Sequence, residues 1–432
     1  MRLFGTQENQ QGELCIGGMR VSELKEQFGT PLYVYDFAHM KERAALIRSA
    51  FQHPTLSTGV MYASKAFLTV GMAQWIKEEG MLIEVVSDGE LYTVMQANMP
   101  MDRVFFHGNA KTIHDMKLAY EARVGTIILD NETEFQSFQA LHPGGFVQRV
   151  MLRLNPLIDS QTHEYIQTTK NDSKFGVAPY GEETLRLVDM IQQDSRFVLK
   201  GIHSHVGSQI TDPETFYAQT LSMLHIVKAW KEKGIDIHEL NLGGGFGVAY
   251  TDTDPEIDLT AVLPTMLEMI ETYCKTESLV YPKVYIEPAR SLMANAGATL
   301  YTVHSTKQTE SGREFCFVDG SMADHIRTVL YQATYDGVIA NRMNDPETRH
   351  YTVSGRACES GDIIIRDVAL ATPKPGDLLV VSTTGAYHYS MSSNYNRFTK
   401  PAVVFVEDGK AKLIVKRETL NDLIRNDVPL YE

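Results

Sequence analysis

Short apolar runs recur through the first two thirds of the chain, and between them apolar residues return every three or four positions. Runs bounded by turn residues read as buried strands, and the three-to-four spacing reads as helices with one buried face. Strands are expected at 59–64, 81–86, 103–106, 124–129, 147–154, 197–205, 236–242 and 281–286, with helices between most of them, for example 67–79 and 215–233. Strands alternating with helices imply a parallel sheet, and eight of them suit an α/β, TIM-like (β/α)8 barrel. Leu32-Tyr33-Val34-Tyr35-Asp36 reads as a short strand, followed by a helix to about Ala50, and residues 1–30 as an arm that packs elsewhere. After about Ser291 strand-like runs dominate, at 299–303, 314–318, 362–369, 378–382 and 402–407, with a turn at Pro373-Lys374-Pro375-Gly376-Asp377. The expected division is a barrel over 31–290 and a mostly antiparallel β domain built from 1–30 and 291–432.

A barrel of this kind carries its chemistry at the C-terminal ends of its strands. The first strand, Gly59-Val60-Met61-Tyr62-Ala63-Ser64, delivers Lys65. The second carries Glu84, the third ends at His107-Gly108-Asn109 and the fifth at Arg153-Leu154-Asn155. The sixth ends at His205-Val206-Gly207-Ser208, the seventh at Gly243-Gly244-Gly245 and the eighth at Glu287-Pro288-Ala289-Arg290. Taken singly these are ordinary: a solvated lysine, a core histidine, a tight turn, a salt-bridge acid. Together they are not. Bare glycine backbone lets N–H groups approach an anion, and at the seventh strand of a barrel that anion is best read as a phosphate. The stretch is neither a dinucleotide fingerprint, since Val248 stands where the last glycine is needed, nor a Walker A loop. A phosphate loop and a strand-end lysine point to pyridoxal phosphate, with Lys65 forming a Schiff base, Glu287 pairing with the pyridine nitrogen and His205 stacking on the ring.

Composition narrows the function classes. The net charge of −14 disfavours binding to a nucleic-acid backbone. No apolar stretch approaches the roughly 20 residues of a membrane helix, and the polar N-terminus lacks a signal-peptide core. Four cysteines without metal-ligand spacing suit free thiols in a cytoplasmic enzyme, and no metal is expected. In the β domain, Cys358 lies beside Glu359 in a polar turn, where a thiol could donate a proton. Arg327 and Tyr331 share a face if their stretch is helical, and Arg327 could then capture a carboxylate.

Six motifs in order carry a family resemblance: Tyr62-Ala63-Ser64-Lys65, His203-Ser204-His205-Val206-Gly207-Ser208-Gln209, Gly243-Gly244-Gly245-Phe246-Gly247, Glu287-Pro288-Ala289-Arg290, Cys358-Glu359-Ser360-Gly361-Asp362 and Gly385-Ala386-Tyr387. With these the chain resembles the fold-type III pyridoxal-phosphate-dependent decarboxylases over nearly its whole length. Thr162-His163-Glu164-Tyr165-Ile166, Asp172-Ser173-Lys174-Phe175-Gly176 and Ser393-Asn394-Tyr395-Asn396 are most similar to the diaminopimelate branch. The resemblance implies an alanine racemase-like barrel that converts meso-2,6-diaminopimelate to L-lysine and CO2, the last step of lysine biosynthesis.

It also implies residue roles. Lys65 and Cys358 would be catalytic. Lys65, His205, Ser208, Gly243, Gly244, Gly245, Glu287, Arg290 and Tyr387 would bind the cofactor. Arg290, Arg327, Tyr331, Glu359 and Tyr387 would contact an amino-acid substrate. Cys358 would enter from the partner subunit of a homodimer with shared active sites. Ala289 replaces a usual Gly, Thr169 stands where Gly is common, Ser321, Ala323 and Thr328 replace usual Gly, Asn and Pro, and Phe398 stands where a basic residue is common. These departures touch substrate preference rather than chemistry. The alternatives are a related decarboxylase acting on ornithine, D-lysine or carboxynorspermidine, a racemase, which Glu287 disfavours, and a non-catalytic pyridoxal-phosphate-binding homologue.

Overall fold

A computed structural model describes residues 1–156 and 174–431. The chain divides into two compact units, Ala44–Gly247 with Glu256–Ala289, and Met1–Arg43 with Val248–Pro255 and Arg290–Glu432.

The first unit is a closed eight-stranded barrel. Its strands, in chain order, are Thr58–Ala63, Leu82–Val85, Val104–Phe106, Thr126–Leu129, Gln148–Arg153, Phe197–His203, Glu239–Asn241 and Lys283–Ile286. Each runs parallel to the next, and the last closes on the first with Val284 opposite Thr58. Every expected strand is present, its ends moved by a few residues. Met61, Phe105, Ile128, Met151 and Tyr285 pack together as a buried cluster. Gly59 makes room for it, because a Cβ there would come within 2.8 Å of the Tyr285 ring.

Helices connect the strands, and Pro213–Glu232 shows why they form. Asp212 caps the first turn through the Glu214 N–H, and Pro213 occupies the first helical position, where no N–H is needed. Phe216, Thr220, Met223, Val227 and Trp230 then recur on one buried face. Trp230 also donates from its indole N–H to the Pro179 carbonyl at 3.0 Å. Replacing this buried ring by alanine would cost about 3–5 kcal/mol.

The second unit is built on a nine-stranded mixed sheet. Its long strand Gly297–Gln308 pairs antiparallel with Leu32–Asp36, Glu314–Val318 and Leu378–Val381. Leu32–Asp36 also runs parallel to Ala402–Glu407. The arm of residues 1–30 contributes three short strands and the helix Val21–Phe28. Leu14, Ile16 and Leu24 from it join Val34, Leu300, Val380 and Val404 in one core.

The boundary differs from the expected one at residue 31. Leu32–Asp36 has the composition of a barrel strand, but its backbone partners lie in the β sheet, so the barrel unit starts at Ala44. Val248–Pro255 likewise belongs to the β unit, where the Asn295 amide donates to the Ala249 carbonyl at 2.9 Å. Among the described residues no helix is long and apolar enough to cross a membrane.

Candidate active site

Lys65 sits in a single 3-10 turn, Ser64–Ala66, immediately after the first barrel strand. Ser64 and Ala66 are buried while the lysine side chain is 44% exposed, so the turn presents one polar side chain from a buried base. The Tyr62 hydroxyl fixes that base by donating to the Phe67 carbonyl at 2.7 Å. Lys65 Nζ lies 3.8 Å from Oε1 of Glu84, a buried residue of the second strand. Burial pushes the Glu84 carboxyl up to about 7 against the opposing pull of Lys65.

Glu287, at the end of the eighth strand, has the opposite surroundings. Its Oε1 accepts from the Asn241 amide at 2.7 Å and lies 3.3 Å from His107 Nε2, while its Oε2 lies 3.4 Å from His203 Nε2. Burial alone would raise its pKa, but His203, His107 and Lys65 hold it well below the ordinary carboxylate value. Burial lowers the pKa of both histidines against the opposing pull of Glu287. Asn241 also fixes the neighbouring turn, since its Oδ1 accepts from the Gly243 N–H at 2.9 Å.

The three glycines are sterically required. A Cβ at Gly243 would sit 2.5 Å from the Ser204 carbonyl, at Gly244 2.1 Å from that of Glu287, and at Gly245 2.4 Å from that of Gly207. Gly243 and Gly245 also have φ of +65° and +109°. The loop lies against the one after the sixth strand through Ile210 N–H to Gly245 O at 2.9 Å and Gly247 N–H to Ile210 O at 2.8 Å. That brings the exposed Ser208 segment alongside the glycines. His205 Nδ1 accepts from the Gly244 N–H at 3.3 Å, and burial, with the charge of Lys65 second, lowers its pKa to about 3. The ring is therefore neutral, with its proton on Nε2.

The β unit groups a second set. Arg290 is buried, hydrogen-bonds the Tyr250 hydroxyl and stands 4.8 Å from the Tyr387 ring centre. Arg327 stands 5.2 Å from the same ring and 4.7 Å from that of Tyr331. The stretch Arg327–Tyr331 is a single helical turn, which puts the two residues on one face as expected. Cys358 and Glu359 form a separate exposed group: the Cys358 N–H donates to Asn396 Oδ1 at 2.8 Å, and Glu359 accepts from the Tyr395 hydroxyl at 3.3 Å.

Residues 37–294 match the model of the pyridoxal-dependent decarboxylases, pyridoxal binding domain. The chain is 43% identical to diaminopimelate decarboxylase of Bacillus subtilis (strain 168), covering 99% of this chain and 98% of the relative. It is 40% identical to that of Staphylococcus aureus (strain COL), covering 97% and 98%. A solved diaminopimelate decarboxylase from M. jannaschii in complex with L-lysine superposes with a TM-score of 0.93 at 30% identity, covering 98% of both chains. The chain belongs to the pyridoxal-dependent decarboxylases.

The residues present fit the cofactor of that family. Pyridoxal phosphate needs an amine for its aldehyde, donors for its phosphate, a partner for its ring nitrogen and a flat contact for its ring. Lys65 is the strand-end amine. The glycine loop packs so tightly on the neighbouring strand ends that no Cβ fits, which leaves bare backbone alongside the exposed Ser208 segment. The ionised Glu287 suits a protonated pyridine nitrogen, and the neutral His205 suits an aromatic face.

Sequence reasoning missed the surroundings of Glu287. His107, His203 and Asn241 converge on it from the third, sixth and seventh strands. Their position at strand ends was visible, but which of them meet depends on the register of the closed barrel. Tyr250, the partner of Arg290, was also missed, because it follows the glycine loop in a segment without periodicity. Thr162-His163-Glu164-Tyr165-Ile166, Thr169 and Asp172-Ser173 lie outside the described residues.

Proposed function

We propose that this chain decarboxylates meso-2,6-diaminopimelate to L-lysine and CO2 as the last step of lysine biosynthesis, acting in the cytoplasm as a homodimer with shared active sites. The observation that carries the chemistry is the Glu287 carboxylate, held charged at the barrel mouth by Asn241, His203 and His107. The relatives at 40–43% identity over nearly the full chain, all bearing the name diaminopimelate decarboxylase, support the substrate.

Pyridoxal phosphate, when bound, would supply the electron sink for the pair freed as the bond from Cα to the carboxylate breaks. The chain's own residues make that possible. Glu287 keeps the nitrogen protonated. Lys65 would hold the cofactor through its amine between turnovers. Gly243, Gly244, Gly245 and Ser208 would bind the phosphate, His205 would lie against the ring, and Arg290 and Tyr387 would contact the cofactor. Arg290, Arg327, Tyr331, Glu359 and Tyr387 hold the substrate, and Cys358 of the partner subunit returns a proton to Cα.

Diaminopimelate carries a carboxylate at each end, whereas ornithine carries one. Two guanidinium groups about the Tyr387 ring offer the bidentate forks that a diacid needs. A site built to pair a distal carboxylate rejects substrates that leave its arginines unpaired. CO2 release from meso-diaminopimelate beside ornithine, lysine and arginine tests this reading. Release from meso-diaminopimelate alone is expected, and release from ornithine but not meso-diaminopimelate would overturn it.

A further inference from the structure

Among the described residues Lys111 is the one buried lysine. Its Nζ donates to three oxygens, each at 2.7 Å: the Gly108 carbonyl, the Ile128 carbonyl and Glu134 Oε1. Burying an ion pair carries a desolvation cost of several kcal/mol per ion, so such a pair is weak evidence for stability. Its placement gives it another use.

Gly108 directly follows His107, whose Nε2 lies 3.3 Å from Glu287. Gly108 has a φ of +112°, a conformation that does not hold itself in place. Lys111 closes this turn by gripping its carbonyl, and it anchors the turn to the end of the fourth strand through Ile128. Glu134 completes the fixture. It sits in the first turn of the helix Glu132–Leu141, and its other oxygen accepts from the Asp130 N–H at 2.7 Å. Asp130 in turn accepts from the Gly176 N–H at 3.0 Å. The loops after the third, fourth and fifth strands thus share one buried hydrogen-bonded chain.

We propose that Lys111 is a positioning residue for the reaction: by gripping the Gly108 carbonyl it holds the His107 imidazole against Glu287, and so sets how firmly Glu287 holds the cofactor's ring nitrogen. Lys111 touches neither substrate nor cofactor and acts only through His107. The inference rests on Glu287 as the ring-nitrogen partner.

The test uses the purified holoenzyme and its resolved form, with pyridoxal phosphate as the probe. Lys111→Met alone would leave the Glu134 carboxylate buried and unpaired, so the informative variant is Lys111→Met with Glu134→Gln, which removes both charges. Glu134→Gln is the control: its one amide oxygen can still accept from Lys111, and the contact with the Asp130 N–H is lost in the control and the double variant alike. Three quantities are read: the dissociation constant of pyridoxal phosphate, the pH midpoint of the visible band of the holoenzyme, and the melting temperature. The double variant is expected to weaken cofactor binding about 10–100-fold, the usual cost of losing an outer-layer partner, and to shift the pH midpoint, with Glu134→Gln close to wild type. A lowered melting temperature with unchanged affinity and midpoint would make Lys111 purely structural and overturn the proposal. Equal effects in the control and the double variant would overturn it too, since the carboxylate and not the lysine would be responsible.

Two further variants guard the logic. His107→Asn must reproduce the midpoint shift, and an unchanged midpoint there refutes the route even if the double variant does not fold. Glu287→Gln separates the two claims. If it leaves the midpoint unmoved, the ring-nitrogen assignment fails; if it moves the midpoint while the double variant does not, only the role of Lys111 fails.

Discussion

The ends of the second and eighth barrel strands each carry one buried glutamate, and the two are held in opposite states. Glu287 has an amide donor at 2.7 Å and two imidazoles within 3.4 Å, and it stays charged. Glu84 has Lys65 at 3.8 Å, and burial dominates, raising it to about 7. Burial is common to both, so the difference lies in what each strand's neighbours supply. The eighth strand lies beside the seventh, which brings Asn241, and the sixth strand adds His203. Glu84 has no comparable ring of donors: one of its oxygens is buried without a hydrogen-bond partner. Environments that push two acids apart divide labour between them. Glu287 is suited to a fixed counter-charge, and Glu84 to exchanging a proton near neutrality beside Lys65.

The comparison can be broken in several ways. The largest effect is expected from Lys65→Ala, which removes the group both glutamates face and should abolish both the visible cofactor band and CO2 release. Retention of the band would detach the two acids from any cofactor. Glu287→Gln keeps the shape and removes the charge, and kcat is expected to fall about 10²–10⁴-fold, the range for a group that controls a reacting proton. His203→Asn takes away one flank of Glu287 and should cost about tenfold, as for a partner one layer out; steady-state kinetics that matched wild type would show that Asn241 and His107 suffice.

Glu84→Gln should show the smallest effect, and it appears in stability against pH. The native carboxyl titrates at about 7 and its reference value is 4.5, so between these pH values the folded state binds a proton that the unfolded chain has released. Wild-type stability therefore falls as pH rises through this window, and the Gln variant lacks that contribution. Denaturant unfolding at pH 5 and pH 8 should show the variant gaining on wild type at the higher pH. An identical difference at both pH values would mean that Glu84 is an ordinary charged carboxylate.

The two glutamates also show where sequence reading works. Glu287, Lys65 and Gly243–Gly245 were legible because each stands directly after an apolar run, and a barrel collects strand ends at one mouth. The rings of donors around them were not, because convergence across strands is a matter of shear and register that periodicity does not encode. The same limit applied in the β unit. Gly337–Ile339 is too short to announce itself, and Arg349–Ser354 begins with two exposed polar residues that mask its strand character. In Lys410–Val415 the apolar Leu413 is exposed and Ala411, Ile414 and Val415 are half-buried, so no buried face marks the strand. Leu32–Asp36 was recognised as a strand but set within the bounds of the barrel unit, since buried strands of both units share one composition.

The central claim is the split between the two carboxylates, and infrared spectroscopy of the carboxyl stretch between pH 5 and pH 9 tests it most directly. Glu84 and Asp324 are both raised to about 7, so the account predicts a protonated-carboxyl band that fades with a midpoint near 7, is weakened in Glu84→Gln and keeps its full strength in Glu287→Gln. A band weakened by Glu287→Gln and left at full strength by Glu84→Gln would contradict it.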